Sequence, residues 1–110
     1  MPRFRVPRMQ TNAAWQMPPI AFRAGSPPQP VDISAWVLGG VARSAACSLT
    51  LDLINGRLAI GDDGRLAISL SEADCASLGE GRVDFEVMRL TPEPTRPLLR
   101  FATINHQGLT

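Results

Sequence analysis

The chain of 110 residues contains no lysine, one histidine, two cysteines and six aromatic residues. Each scarcity removes a class of chemistry. The single histidine, His106, stands in the polar run 105–110, a poor place for the base that a serine or cysteine nucleophile requires. Cys47 and Cys75 permit at most one disulfide and cannot by themselves supply a four-ligand metal site. Small residues flank both, in Ala45-Ala46-Cys47-Ser48 and Ala73-Asp74-Cys75-Ala76, which predicts reduced thiols used for packing. No window approaches the roughly 18 uninterrupted apolar residues of a membrane-crossing helix. The start, Met1-Pro2-Arg3-Phe4-Arg5-Val6-Pro7-Arg8, lacks the apolar stretch of a signal peptide. A protein made and used without export, and without membrane insertion, is therefore expected.

Motifs that carry chemistry are equally sparse. A calcium loop needs several oxygen ligands at fixed spacing, and Gly61-Asp62-Asp63-Gly64 offers two adjacent acids in a turn. Gly39-Gly40 has neither the spacing nor the following helix of a phosphate-binding loop. Asp84 and Glu86 alternate with Val83, Phe85 and Val87, which places both carboxylates on the outer face of a strand. Four arginines on an N-terminal segment, with a net charge of +1 and few aromatics, make a thin footprint for nucleic acid. The expectation is a non-enzymatic chain with no cofactor, no metal and no nucleic-acid partner.

What the sequence does have is segregated charge. Residues 1–31 hold four arginines and no acid, residues 32–95 hold all ten acids against five arginines, and residues 96–110 hold two arginines and no acid. Basic ends around an acidic middle can steer one copy toward another. Arginine in place of lysine also suits an assembly surface, because its planar fork makes bidentate contacts.

Seven of the ten prolines fall in the first 30 residues, including Pro18-Pro19 and Pro27-Pro28-Gln29-Pro30. Proline donates no amide hydrogen and drives its predecessor toward extended geometry. Residues 1–30 therefore read as an extended, basic docking arm with at most short strands near Ala14–Met17 and Ile20–Arg23. Its candidate partner-binding residues are Arg3, Phe4, Arg5, Arg8, Trp15, Met17, Phe22 and Arg23, aromatics, methionine and arginine being the types enriched at interfaces. Trp36 is expected to anchor the core, with Trp15 either covering its edge or serving as an anchor in a neighbouring protein.

From Val31 the pattern turns to strands. A strand near residues 37–43 is expected to bulge at Gly39-Gly40. Ser48–Leu53 follows, with Leu49, Leu51 and Leu53 on one face, and Asn55-Gly56 predicts a type I′ hairpin into Leu58–Ile60. After the turn Asp62-Asp63-Gly64, Leu66, Ile68 and Leu70 alternate. Ser71 and Asp74 then have the form of a helix start, and Gly79 ends the helix after about two turns. Strands over 82–90 and 97–104 flank a Pro-rich turn, and 105–110 is read as a polar tail. Six or seven short strands with frequent turns indicate an all-β fold, a small antiparallel β-sandwich with one short helical turn.

Three stretches carry a family resemblance: Val31-Asp32-Ile33-Ser34-Ala35-Trp36, Gly64-Arg65-Leu66-Ala67-Ile68-Ser69-Leu70-Ser71-Glu72-Ala73-Asp74, and Leu78-Gly79-Glu80-Gly81-Arg82-Val83-Asp84-Phe85-Glu86-Val87. Together they resemble the small immunoglobulin-like β-sandwich modules of tailed-phage virion proteins, similar to the N-terminal domain of baseplate upper proteins. The likeness spans about residues 31–104, with Ala35 where that pattern favours glycine and Val83-Asp84-Phe85 where Tyr-Asp is commoner. It implies a structural subunit of a bacteriophage or phage-like particle, in tail, baseplate or head adaptor, fibre attachment or decoration. Its partners would be other virion proteins and copies of itself, assembled in the host bacterial cytoplasm. The motifs are structural and carry over no catalytic residue. A carbohydrate- or host-surface-binding sandwich is the alternative, although the loops 61–64 and 91–96 lack aromatic residues for sugar stacking.

Overall fold

A computed structural model describes residues 6–107. Ten strands and one helix follow in chain order: β1 Met9–Gln10, β2 Trp15–Gln16, β3 Arg23–Ala24, β4 Gln29–Pro30, β5 Val37–Arg43, β6 Ser48–Asp52, β7 Leu58–Ile60, β8 Leu66–Leu70, α1 Glu72–Leu78, β9 Gly81–Thr91 and β10 Arg96–His106. The fold is all-β, as expected from the alternation. A five-stranded sheet in the order β1-β10-β9-β5-β6 faces a three-stranded sheet β2-β8-β7, and β3-β4 form a small separate ribbon. Every ladder is antiparallel except β1 on β10, where Met9 pairs with Asn105 and Gln10 with His106.

Period-two burial builds the core between the sheets. Val83, Phe85 and Val87 of β9, Leu38 and Ala42 of β5 and Leu51 of β6 face Leu58 of β7 and Leu66, Ile68 and Leu70 of β8. Phe85 lies opposite Phe101 in the β9–β10 register, their rings stacked with centroids 4.7 Å apart. Trp15 stacks on Phe85 from the other sheet at 5.1 Å, and its indole N–H donates to the Pro7 carbonyl at 3.0 Å.

This arrangement corrects the reading of residues 1–30 as a separate arm. Met9, Trp15, Met17 and Ile20 all belong to the buried core, so the core does not begin at residue 31. Residues 15–20 lie along β8, while Pro27 and Pro28 stand in the turn between β3 and β4. Trp15 pairs with Leu70 and Gln16 with Ser69, Met17 N–H donates to the Ile68 carbonyl, and Ile20 bonds reciprocally with Leu66. Pro18 and Pro19 fall in the gap between those bonds, the place an edge strand tolerates residues without a donor. Trp15 is only 3% exposed and belongs to the core itself, whereas Trp36, expected to anchor that core, is half-buried against it with its ring 5.2 Å beneath the Arg89 guanidinium.

Three further expectations change. Asn55-Gly56 does not close a hairpin, because β6 and β7 belong to different sheets and the turn crosses between the layers. Only Gly56 has positive φ there, at 79°; the Asn55 side chain instead accepts from Asp52 N–H and Arg57 N–H and donates to the Thr50 carbonyl. The irregularity in β5 lies between Val37 and Leu38 rather than at the glycines. Gly40 is needed for close approach, since a Cβ there would strike the Glu86 backbone. Finally, β10 runs on to His106, which removes Asn105 and His106 from the polar tail.

Asn105 is buried because it completes the docking of α1. The capping box of Ser71 and Asp74 satisfies the start of this helix. At its end the carbonyls are taken by side chains from elsewhere: Asn105 Nδ2 donates to Cys75 and Gly79, Ser44 Oγ to Leu78 at 2.7 Å, and the Cys47 thiol to Ser77 at 3.2 Å. Both thiols are free, and burial pushes the Cys75 thiol up from its ordinary value, with the neighbouring Asp74 charge acting in the same sense. Truncating the tryptophan that spans the layers, Trp15→Ala, is expected to cost about 3–5 kcal/mol in a guanidinium titration. Deleting residues 2–20 should leave no cooperative unfolding transition at all.

Candidate interaction surfaces

The predicted partner-binding residues divide into three groups. Arg3, Phe4 and Arg5 lie outside the described residues. Trp15 and Met17 are buried and Phe22 is half-buried against the core, so none of the three is a free anchor for a partner. Arg8 and Arg23 are exposed, Arg23 in β3 opposite Pro30. The surfaces that stand open lie elsewhere, on the outer face of the five-stranded sheet.

The outer face is divided along the strands. Toward one end it is charged: Arg82 pairs with Asp84 at 2.9 Å, and Arg100 reaches across from β10 to place Nε and Nη2 on one Glu86 oxygen at 3.1 and 2.7 Å. With Val41 and Arg43 these residues line a shallow depression of about 450 Å³. Both carboxylates are thus ion-paired on the outer face, where alternation places them, rather than gathered for acid–base work. Such exposed pairs contribute little stability.

Toward the other end the face is apolar. Val37 is 46% exposed and Leu90 is 42% exposed, on adjacent strands. The Leu90 side chain lies flat across Gly39, a Cβ at which would come within 2.9 Å of Leu90 Cδ1. Gly39 in turn pairs with Asp52, and two residues beyond Asp52 the crossing turn presents Ile54 at 98% exposure. A bare isoleucine on a mobile loop would signify little. This turn is locked, since Asn55 N–H donates to Asp52 Oδ1 at 2.6 Å and Asn55 holds three further bonds.

The sheet edges are treated unequally. Thr11 N–H donates to the His106 carbonyl, so His106 turns its backbone groups away from β9. Alternation then points those of Arg100, Ala102 and Ile104 the same way, and among the described residues β1 pairs with β10 at Asn105–His106. Across the sheet, the same alternation turns Ser48, Thr50 and Asp52 of β6 outward, but side chains fill that edge. Asn55 Nδ2 and Arg57 Nη1 both donate to the Thr50 carbonyl at 2.9 Å.

Arg57 is held for that task by Asp74, in a two-pronged pair at 2.8 and 3.1 Å that is mostly buried. The hydrogen bond from Arg57 holds the Asp74 carboxyl below its ordinary pKa, aided by the Ser71 backbone N–H and opposed by burial. A depression of about 480 Å³ around this pair, lined also by Asn55, Ser69 and Ser71, is walled by groups already engaged with one another. No group of three or more His, Cys, Asp or Glu able to hold a metal occurs among the described residues, and no described helix is long and apolar enough to cross a membrane. Comparison with family models, with curated proteins and with solved structures gave no match in any of the three.

Sequence reasoning missed the Ile54 turn, for which there was no signal, since Asn-Gly reads as a hairpin whichever layers it joins.

The Asp74 carboxyl titrates below its unfolded value, so its pairing contributes stability that is present above the unfolded pKa and lost as pH falls through the folded one. Melting temperatures of the native chain and of Asp74→Asn should differ most above about pH 5 and converge toward about pH 2. A difference that stayed constant with pH would remove the ion pair from the account.

Proposed function

We propose that this chain is a non-enzymatic structural subunit of a bacteriophage or phage-like particle, acting through protein–protein contacts. The observation that carries the assembly role is the fully exposed Ile54, on a hydrogen-bonded turn two residues beyond Asp52, together with the exposed Val37 and Leu90 on the outer face of the five-stranded sheet. An apolar side chain on a turn whose backbone is already held costs less entropy to bury than one on a loop that must first be ordered, which is what an interface anchor needs. The placement in a virion rests on the resemblance of residues 31–104 to the phage sandwich modules, whose structural motifs coincide with β8, α1 and β9. Within a tail, baseplate or head adaptor the sandwich serves as a rigid block, and its partners are neighbouring virion proteins or further copies.

The docking surface in this proposal is the patch rather than Trp15 and Met17, because residues 9–20 contribute Met9, Trp15, Met17 and Ile20 to the core. In particles purified from cells carrying the full set of particle genes, Ile54→Asp and Leu90→Asp should each lower incorporation at least tenfold. The stability of Ile54→Asp should stay within about 0.5 kcal/mol of the native chain, as for other exposed positions. Normal incorporation of both variants would remove the patch, and with it the proposal.

A further inference from the structure

The end of the five-stranded sheet that carries Val37 and Leu90 also carries two arginines without a counter-charge. We infer that Arg89 and Arg96, with Trp36 beneath Arg89, form a binding site for a carboxylate supplied by an acidic side chain of a neighbouring protein. The inference rests on the assembly role proposed above and names what one partner must present.

Arg89 and Arg96 stand directly opposite one another in the β9–β10 register. Opposed residues share a face, with Cβ atoms roughly 4.5–5.5 Å apart, so both guanidinium groups reach the same space. The face is the inner one, because Arg89 also opposes the buried Leu38 and continues the even spacing of Val83, Phe85 and Val87. At this end Arg89 is half-buried and Arg96 is exposed. Like charges directly opposite one another cost stability. Nothing offsets them among the described residues, where ion pairs engage Arg57, Arg65, Arg82 and Arg100 but neither of these two. Even Glu93, in the turn that joins the two strands, pairs with neither.

The Arg89 side chain is held in place and short of acceptors. Its guanidinium lies 5.2 Å over Trp36, and Nη2 donates to the Pro94 carbonyl at 3.2 Å. Nε is buried with no hydrogen-bond partner, and Nη1 has none among the described residues. A fixed and under-compensated charge is one for which a charge-assisted bond from outside is worth most. Because Nε is shut in, a carboxylate approaches the Nη edge of Arg89, and the exposed Arg96 closes on its other oxygen. Two guanidinium forks match the two oxygens of one carboxylate. A polyanion such as nucleic acid suits the site poorly, since the chain has a net charge of only +1 and Glu93 stands in the adjoining turn. Leu90 follows Arg89 and so points to the opposite face of the same strand end, where a partner passing over the end of the sheet meets both.

The full chain is titrated with sodium glutarate and with the peptide acetyl-Gly-Asp-Asp-Gly-amide, against sodium chloride at equal ionic strength, while the Arg89 Nε–H and Trp36 indole N–H resonances are followed. Saturable shifts centred on Arg89, Arg96 and Trp36 are expected, with a Kd of about 1–10 mM, together with a melting temperature that rises with either probe. Arg96→Glu replaces a like-charge pair by an opposite one, so it should raise the melting temperature of the unliganded chain and weaken probe binding at least tenfold. Arg96→Ala should weaken binding without lowering the melting temperature. A purely structural arginine would lose stability in both variants. Shifts that chloride reproduces, shifts centred instead on Arg43, Arg82 and Arg100, tighter binding of inorganic phosphate or of an oligonucleotide than of glutarate, or native binding by Arg96→Glu would each overturn the inference. In particles, Arg96→Glu should lower incorporation at least tenfold; normal incorporation would give the site to a small carboxylate and overturn its assignment to a neighbouring protein. A chain that binds neither probe yet still needs Leu90 for incorporation refutes the site and leaves the assembly role standing.

Discussion

The structure depends on a tryptophan supplied by the two-residue edge strand β2. Trp15 is the ring through which the three-stranded sheet meets the paired aromatics of the five-stranded sheet, 5.1 Å from Phe85 and 6.5 Å from Phe101. Its burial requires residues 15–20 to lie along β8, and its indole bond to Pro7 sets where the preceding chain leaves the core. Two consequences follow. Strand β8 gains a neighbour on its outer side, and Met9 is brought to the end of β10. Stacked pairs of this kind contribute roughly 0.5–1.5 kcal/mol each beyond the area they bury, so the cluster is a substantial fraction of the few kcal/mol by which a small domain is stable.

A seven-residue helix is too short to stand alone, and here it works as a joint. Its first turn is fixed by Ser71, Asp74 and Arg57, and its last turn by Ser44, Cys47 and Asn105, which come from the β5–β6 turn and from β10. The chain passes through it from one sheet to the other. Arg57 links this joint to the surface, because the guanidinium that holds Asp74 also closes the β6 edge at Thr50. Loss of that pair would loosen a helix start and uncover a sheet edge together.

The legible parts of the fold were those in which one local signal has one structural outcome. Alternation at Leu66, Ile68 and Leu70 and at Val83, Phe85 and Val87 can be satisfied only by a half-buried strand, and Ser71 with Asp74 forms the capping box their spacing allows. The prolines of residues 1–30 were read as extended backbone, which fits residues 15–20 along β8 but not Pro27 and Pro28 in the β3–β4 turn. They carried no information on whether that backbone is free or lies on a sheet edge, since both environments tolerate a missing donor. Trp15, Met17 and Ile20 were the discriminating residues, three large apolar side chains at near-strand spacing with no other place to be buried. Asn55-Gly56 failed for a related reason: Asn accepts several local hydrogen-bond roles, and which it adopts depends on whether the next strand returns to the same sheet. The candidate surface was least legible, because the exposure of Ile54, Val37 and Leu90 is a property of register and layer, not of residue type.

Edges distinguish this sandwich from a closed barrel, and the chain guards them selectively. Proline interrupts β2, side-chain hydrogen bonds fill β6, and on β10 Pro97 with the irregularity before Leu99 spoils the first turn of the strand. Unprotected strand edges invite indiscriminate pairing, which is why natural sheets carry such devices. Further along β10 stands Arg100, and a charged side chain on an edge strand is another such device, because it repels an edge of like charge. A chain that spends polar residues to close one edge, and cationic ones to qualify another, has a surface graded by partner chemistry. That grading belongs to the strand register and not to any pocket, which is why a search for catalytic clusters passes over it.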